Sequence, residues 1–144
     1  MSLSPAETLH VLLPEHAPEH GSALDVALEL QLGVPAEAVD ALRARTGLGL
    51  ADILAVVSMS NSTLKRRRQR AERLSPEASD ALFRLLHIFR AAEAVLGSGD
   101  RARRWLITPS RALGHHRPLD LLTGSLGARL VEEELAALEH GFLA

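Results

Sequence analysis

The densest chemistry in this 144-residue chain is a run of cations: Lys65–Arg73, KRRRQRAER, holds six basic residues against one acid, Glu72. Such a run can neutralise phosphate. Asn61, Ser62 and Thr63 stand just ahead of it, and each can donate and accept hydrogen bonds at base edges or phosphates. Asn61, Ser62, Thr63, Lys65, Arg66, Arg67, Arg68 and Arg70 are therefore the candidate nucleic-acid contacts. A merely solvated helix face is the competing reading, and the single sign of the charge weakens it. The cations cover most of a helix circumference and cannot all face one groove, so some must meet phosphate, a partner or only water.

The other reactive groups form no site. His115 and His116 are adjacent and point apart, and with Asp120 the nearest carboxylate they lack the ligands a metal needs. His10, His16 and His20 are assigned no function. Glu132, Glu133 and Glu134 splay round a helix and make no acid–base dyad. Nucleophile-elbow, P-loop and dinucleotide-binding motifs are missing, and Gly47-Leu48-Gly49 lacks the third glycine of the last. With no cysteine there is no disulfide, thiol nucleophile or thiolate metal site. The expectation is a protein that is not an enzyme and uses no cofactor or metal.

A formal net charge of −2 argues against nucleic acid only as an average. Residues 1–73 and 74–144 each carry eight Lys/Arg and nine Asp/Glu, and each half hides a basic stretch. The second is Asp100–Arg117, five arginines against one aspartate; plain solvation ranks ahead of a second DNA or acidic-partner contact there. The hydrophobic and charged fractions, 47% and 24%, are those of a globular protein. Apolar runs fall short of the ~18–20 residues of a membrane helix. No basic segment precedes Leu9–Leu13, so a signal peptide is not expected and a cytoplasmic location fits best.

The elements that must position these groups read as helices throughout. Ser4-Pro5-Ala6-Glu7 opens a short helix to about Leu13. Ser22 caps a helix to Leu32 with Leu24, Leu28 and Leu32 on one face, and Gly33 ends it. Pro35 opens the next, with Val39 and Leu42 inward and Gly47 as its stop. Leu50–Val57 is a short apolar helix, and Ser60 or Asn61 caps the basic helix, which has Leu64 as its one large apolar anchor. Ser75-Pro76-Glu77 starts a long helix whose stripe is Ala78, Leu82, Leu85, Leu86, Phe89, Ala92 and Leu96. Asp100–Ile107, a turn at Pro118–Leu122 and a last helix from Ser125 to about His140 follow, the last with Leu126, Leu130, Val131, Leu135 and Leu138 inward. The fold class is all-α. Its organisation is an N-terminal arm over 1–21, a DNA-binding domain over 22–74 and a second helical domain over 75–144. Leu50–Arg70, a short helix, a tight turn and a second helix, has helix-turn-helix spacing, in which the second helix enters the major groove.

The C-terminal stretch WLITPSRALGHHRPLDLLTGSLGARLVEEELAALEHG carries several fixed spacings: Trp105-Leu106 with Pro109, Leu113-Gly114 with Pro118-Leu119-Asp120-Leu121-Leu122 and Thr123, then Gly127, and Glu139 with Gly141. It resembles the toxin-binding domain of Xre/MbcA/ParS-like antitoxins. The long helix opened by Ser75-Pro76 is similar to that family's central helix, and Leu50–Arg70 matches its Xre-like helix-turn-helix in position. One departure is His115-His116, where the family usually has a further glycine after Leu113-Gly114. The resemblance implies a small cytoplasmic antitoxin, commonly dimeric and without cofactor. It would be encoded beside a RES-domain toxin that depletes NAD, block the toxin's active-site cleft with C-terminal elements, and repress the shared promoter. The candidate toxin contacts are Arg111, Arg129, Glu133, Ala137, His140, Gly141, Phe142, Leu143 and Ala144. Phe142 and Leu143 are apolar residues near a terminus and must pack on their own core or in a toxin groove. Trp105, Leu121 and Leu122 read as core. The rival functions are a stand-alone dimeric helix-turn-helix regulator and a protein-interaction adaptor without DNA binding.

Overall fold

Serine hydroxyls start the helices. Ser4, Ser22, Ser60, Ser75 and Ser98 each accept the backbone N–H three residues on, at Glu7, Asp25, Thr63, Ala78 and Arg101. Each satisfies a donor that the first turn leaves without an intrahelical partner. At Ser22 the Asp25 carboxylate also accepts the serine backbone N–H, completing a capping box; that bond, and a second from the Ser22 hydroxyl, hold the exposed Asp25 carboxyl below its ordinary range. The computed structural model describes residues 3–15 and 21–142, with the backbone of Leu143. Helices α1 (Pro5–Leu12), α2 (Ala23–Leu32), α3 (Glu37–Thr46), α4 (Leu50–Val56), α5 (Asn61–Gln69), α6 (Pro76–Leu96), α7 (Gly99–Ile107) and α8 (Ser125–Leu143) follow in order. Two 3-10 turns, Arg111–Leu113 and Pro118–Leu121, join α7 to α8. Among the described residues there is no β-strand, and no helix is long and apolar enough to cross a membrane.

The core is organised on α6. Leu82, Leu85, Leu86, Ile88, Phe89 and Ala92 are all buried, and α6 touches α1, α2, α3, α4, α7 and α8. Full burial of one large apolar side chain is worth about 1.5–3 kcal/mol, so this helix carries much of the hydrophobic stabilisation of both halves of the chain.

Three expectations change in three dimensions. The helix expected at the start of the chain spans Pro5–Leu12, and it is part of the core, with Ala6, Leu9 and Leu12 buried. On α2 the buried residues are Val26 and Leu30, while Leu24, Leu28 and Leu32 face outward at 66%, 50% and 65% exposure. On α8 Ala128, Val131 and Leu135 are buried, Leu138 is half-buried, and Leu126 and Leu130 face outward. Both helices thus carry leucines on their outward side as well as apolar residues on the side that faces the core. The last helix also continues past Gly141 to Leu143. His16, His20, Ala144 and the side chain of Leu143 lie outside the described residues.

The docking of α1 on α6 is polar as well as apolar. Arg90 donates to the Ser4 carbonyl (3.2 Å), to Thr8 Oγ1 (2.6 Å) and to Glu7 Oε2 (2.8 Å). Thr8 is fully buried, and its Oγ1 lies 2.9 Å from Nδ1 of His87, against 3.4 Å from the Ser4 carbonyl oxygen. Thr8 and His87 thus share a hydrogen bond while Thr8 also accepts from Arg90. The ring also stacks on Phe83. Burial, with the Arg90 charge second, pushes the His87 pKa down.

Two glycines are fixed by close approach. Gly33 ends α2 at φ +89°, and a Cβ there would meet the Leu74 carbonyl oxygen at 2.2 Å. Gly127 lies in the first turn of α8, where a Cβ would fall 1.9 Å from the Leu121 carbonyl oxygen. His115 adopts φ +66°, a left-handed conformation that costs an L-residue roughly 1–2 kcal/mol and glycine nothing, which is the physical reason a glycine suits this place in the family's pattern.

Two outcomes are expected. Gly127→Ala should cost about 1–3 kcal/mol through overpacking and lower the melting temperature by roughly 3–10 °C, read by circular dichroism. Because burial depresses the folded pKa of His87, the unfolded chain binds the extra proton first. This contribution to stability is complete above the ordinary value of 6.5 and declines as pH falls below it. Melting temperatures at pH 7.5 and 5.5 should differ in that sense, and His87→Gln should shrink the difference.

Candidate functional site

The basic helix is held at a fixed angle by a short partner. Ile53, Leu54 and Val56 of α4 are buried, and Val57 closes the helix. Ser58 turns the chain at φ 53°, and Ser60 caps α5. Leu64 alone fastens α5 to the core, at 2% exposure. Most other α5 side chains point outward, which is the geometry of a helix presented to a groove.

The candidate contacts do not behave alike. Asn61, Ser62, Lys65 and Arg66 are exposed, and among the described residues their side chains have no hydrogen-bond or ion-pair partner within the protein. Thr63 is half-buried and joins the cap, its Oγ1 taking the Ser60 hydroxyl at 2.9 Å. Arg67 turns back on its own chain, donating to the Arg73 carbonyl at 2.7 Å, with Glu72 Oε2 at 3.8 Å. Arg73 in turn donates to the Gly33 carbonyl at 2.6 Å, and Leu74 N–H donates to the Val34 carbonyl at 2.8 Å. Arg67 is therefore the first member of a chain of bonds tying the α5–α6 connection to the end of α2. Arg68 donates to both oxygens of Asp40 on α3 at 3.1 Å. Arg70 stands 3.8 Å from Glu72 and is 65% exposed. The run that reads as one block of charge thus divides into outward cations, Lys65 and Arg66, weakly paired ones, Arg68 and Arg70, and a structural one, Arg67. The acids that make this division, Asp40 and Glu72, carry no spacing signal in the sequence, since Asp40 lies on another helix.

A second exposed face runs along α8. Leu126, Arg129, Leu130, Glu133, Ala137, His140 and Gly141 recur at steps of three and four, so they share one side of the helix, and all are exposed. Leu126 is 68% and Leu130 43% exposed. Arg129 Nε reaches Glu133 Oε1 at 3.4 Å, a surface pair between well-exposed side chains and hence weak. Phe142 belongs to the other side, in line with Leu135 and Leu138, but overhangs the end of the core at 65% exposure. Arg111 lies on the 3-10 turn that packs against α8 and is exposed. The arrangement thus puts Arg129, Glu133, Ala137, His140 and Gly141 on one face and adds Leu126 and Leu130, which an inward reading of the leucine spacing missed, while Phe142 stands apart from that face.

Arg117 connects the two regions. Its guanidinium donates to Asp120 (2.9 and 2.7 Å) and to Asp52 on α4 at 3.0 Å. The Asp120 hydrogen bonds, then Asp52, raise the Arg117 pKa further above its already high value, and Arg117 holds the Asp120 carboxyl below its usual range. In the second basic stretch Asp100 takes a hydrogen bond from Arg103 and forms an ion pair with Arg104, each at 2.9 Å. No group of three or more His, Asp or Glu among the described residues is placed to hold a metal ion.

A helix-turn-helix with a basic, outward-facing second helix, joined to a helical module with an exposed apolar face, defines a non-enzymatic DNA-binding regulatory protein. Residues 32–87 match the antitoxin Xre-like helix-turn-helix domain, and residues 91–141 match the antitoxin Xre/MbcA/ParS C-terminal toxin-binding domain; α6 runs across the junction of the two. Antitoxin Xre of Yersinia enterocolitica is 31% identical over 114 residues, covering 78% of this chain and 76% of that protein. Antitoxin Xre of Pseudomonas putida is 40% identical over 80 residues, 56% of this chain and 50% of its own length. Antitoxin Xre of Photorhabdus laumondii is 26% identical over 116 residues, 80% and 78% of the two chains. The chain belongs to the Xre antitoxin family, with an N-terminal helix-turn-helix domain and a C-terminal toxin-binding domain.

The division of the basic run predicts unequal variants. Arg67→Ala should remove a hydrogen bond worth about 1 kcal/mol and lower the melting temperature by roughly 2–4 °C. Lys65→Ala and Arg66→Ala should leave it within about 1 °C, since surface substitutions away from such ties change little. Calorimetry of the three variants checks this.

Proposed function

We propose that this antitoxin neutralises a RES-domain, NAD-depleting toxin by laying the outer face of α8 over the toxin's active-site cleft, and that it represses its own operon through α5. The observation that carries the first half is the exposed stripe of α8, where Leu126 and Leu130 sit among Arg129, Glu133, Ala137, His140 and Gly141. An apolar stripe rimmed by charge is what a buried interface centre with a polar rim requires. Phe142, Leu143 and Ala144 are proposed as further contacts, and Arg111 flanks the stripe. The RES identity of the toxin rests on the resemblance of the Trp105–Gly141 pattern.

For DNA, Asn61 and Ser62 stand at the start of α5 to meet base edges, with Thr63 steadying the cap. Lys65 and Arg66 meet phosphate, and Arg68 and Arg70 are cations that exchange weak surface acids for phosphate. Arg67 acts through the loop it holds. Toxin and DNA then occupy different helices, so one protein can hold both, in the cytoplasm and as a homodimer.

A double dissociation tests the reading. Leu126→Glu with Leu130→Glu should abolish rescue of cell growth by co-expression with the neighbouring toxin gene and leave promoter binding intact. Lys65→Ala with Arg66→Ala should keep rescue, weaken promoter binding and reduce its salt slope by about two, roughly one per lost phosphate contact. Rescue by the α8 variant, or by a chain lacking residues 125–144, sinks occlusion by α8; unchanged anisotropy titrations for the α5 variant sink the DNA assignment.

A further inference from the structure

Among the α5 cations, Arg68 is the one held closest by an acid of the protein itself. Its Nη2 donates to both Oδ1 and Oδ2 of Asp40 on α3, each at 3.1 Å. The other carboxylate contacts of the α5 cations, Glu72 with Arg67 and with Arg70, are longer at 3.8 Å. Asn61, Lys65 and Arg68 stand at steps of four and three, so they share one flank of the helix. On that flank Asn61 and Lys65 are exposed and unpartnered among the described residues, and Arg68 is the member already engaged. The pair is not shut away. Both side chains are about half exposed, so an anion arriving from solution can reach the guanidinium.

We propose that Asp40 is an internal stand-in for phosphate: it occupies Arg68 in the free protein and so weakens the grip of α5 on the DNA backbone, whatever the base sequence. This rests on the assignment of α5 to DNA and adds the group that holds its affinity down. A guanidinium takes carboxylate or phosphate with the same donors, so the two anions compete for Arg68. Asp40 cannot retreat from that competition. Its side chain is short, and its helix is anchored by Ala38, Val39 and Leu42, which are fully buried. The carboxylate therefore stays beside α5 when Arg68 leaves it. There it meets the incoming phosphate as an unpaired like charge. It also recruits a cation from solution, which cancels part of the counterion release that drives phosphate binding. An exposed pair of this kind is weak, so DNA displaces it, at reduced affinity. Phosphate contacts carry no sequence information. The effect thus falls equally on promoter and random DNA and leaves base contacts at Asn61 and Ser62 untouched.

Anisotropy titrations of the full chain between about 50 and 200 mM salt, with the promoter duplex and a shuffled duplex of equal length, test this. Asp40→Asn keeps the size of the side chain and removes its charge. It should tighten binding to both duplexes roughly two- to fivefold, with their ratio unchanged, and steepen the salt slope by up to about one. A purely structural role for Asp40 would move the melting temperature and not the slope. The gain should depend on its partner, so Arg68→Ala should erase most of it. Glu37→Gln, which removes an equal charge one turn earlier on α3 from a side chain that bonds to nothing among the described residues, should gain clearly less. Wild-type affinity and slope in Asp40→Asn overturn the proposal. So does weaker binding, which would make Asp40 a support that aims Arg68 at DNA. An equal gain in the Arg68→Ala background, or from Glu37→Gln, overturns it as well, because net charge alone would then account for the effect. Lys65→Ala with Arg66→Ala, titrated alongside, separates the two readings. If that variant binds less and Asp40→Asn binds no more, α5 still reads DNA and only the role of Asp40 fails; if neither changes, the α5 assignment falls and this proposal with it.

Discussion

Burial of α6 on nearly every side is the constraint on which the rest depends. A helix of 21 residues is about 30 Å long, enough to span a small domain. Its Leu82, Leu85, Leu86, Ile88 and Phe89 are at most 1% exposed. Neither half of the chain completes its core without it: α1, α2, α3 and α4 pack on it from the N-terminal part of the chain, and α7 and α8 from the C-terminal part. The two family matches meet within this helix, one ending at residue 87 and the other starting at 91. The DNA-reading and toxin-binding parts are therefore mounted on one rigid element, and Arg117, bonded to Asp52 and Asp120, adds a polar link between α4 and the turn before α8.

With the core supplied by α6, the outer helices are released for contact. Leu64 is the one fully buried side chain of α5, so most of the others face outward. The helix α8 needs Ala128, Val131 and Leu135 on one side, which leaves the opposite side to a partner. Even the close approach of Gly127 to the Leu121 carbonyl serves this, because it seats the start of α8 against the preceding turn and sets the direction in which the exposed stripe points. Intramolecular acids then edit the charge: Asp40 engages Arg68, and the loop draws Arg67 inward, so the outward field of α5 is narrower than the basic run by itself implies.

Much of this was legible from residue types. Serine followed by proline or an acid marked helix starts because a hydroxyl at that place satisfies a donor the helix itself cannot. The α6 stripe was legible because steps of three and four continue over five turns. The Trp105–Gly141 spacings pointed to the toxin-binding domain. Errors came from short helices with apolar residues on more than one side. In α2, residues 24, 26, 28, 30 and 32 are all apolar, so Leu24/Leu28/Leu32 and Val26/Leu30 are both acceptable inward stripes by periodicity. In α8, Leu126 and Leu130 precede Val131 and Leu135 at equally good spacing. The first helix was legible as a helix, but nothing local says that it is buried.

By itself the sequence determined the all-helical class, the helix starts, the helix-turn-helix spacing and the family, since these follow from local hydrogen bonding and fixed intervals along the chain. Tertiary structure alone decided which stripe of α2 and α8 is buried, which arginines of the basic run are bonded within the protein, and that α1 is core. Those outcomes depend on what stands opposite each side chain, such as Asp40 across from Arg68 or Arg90 and His87 across from Thr8, and partners more than twenty residues apart leave no mark in local periodicity.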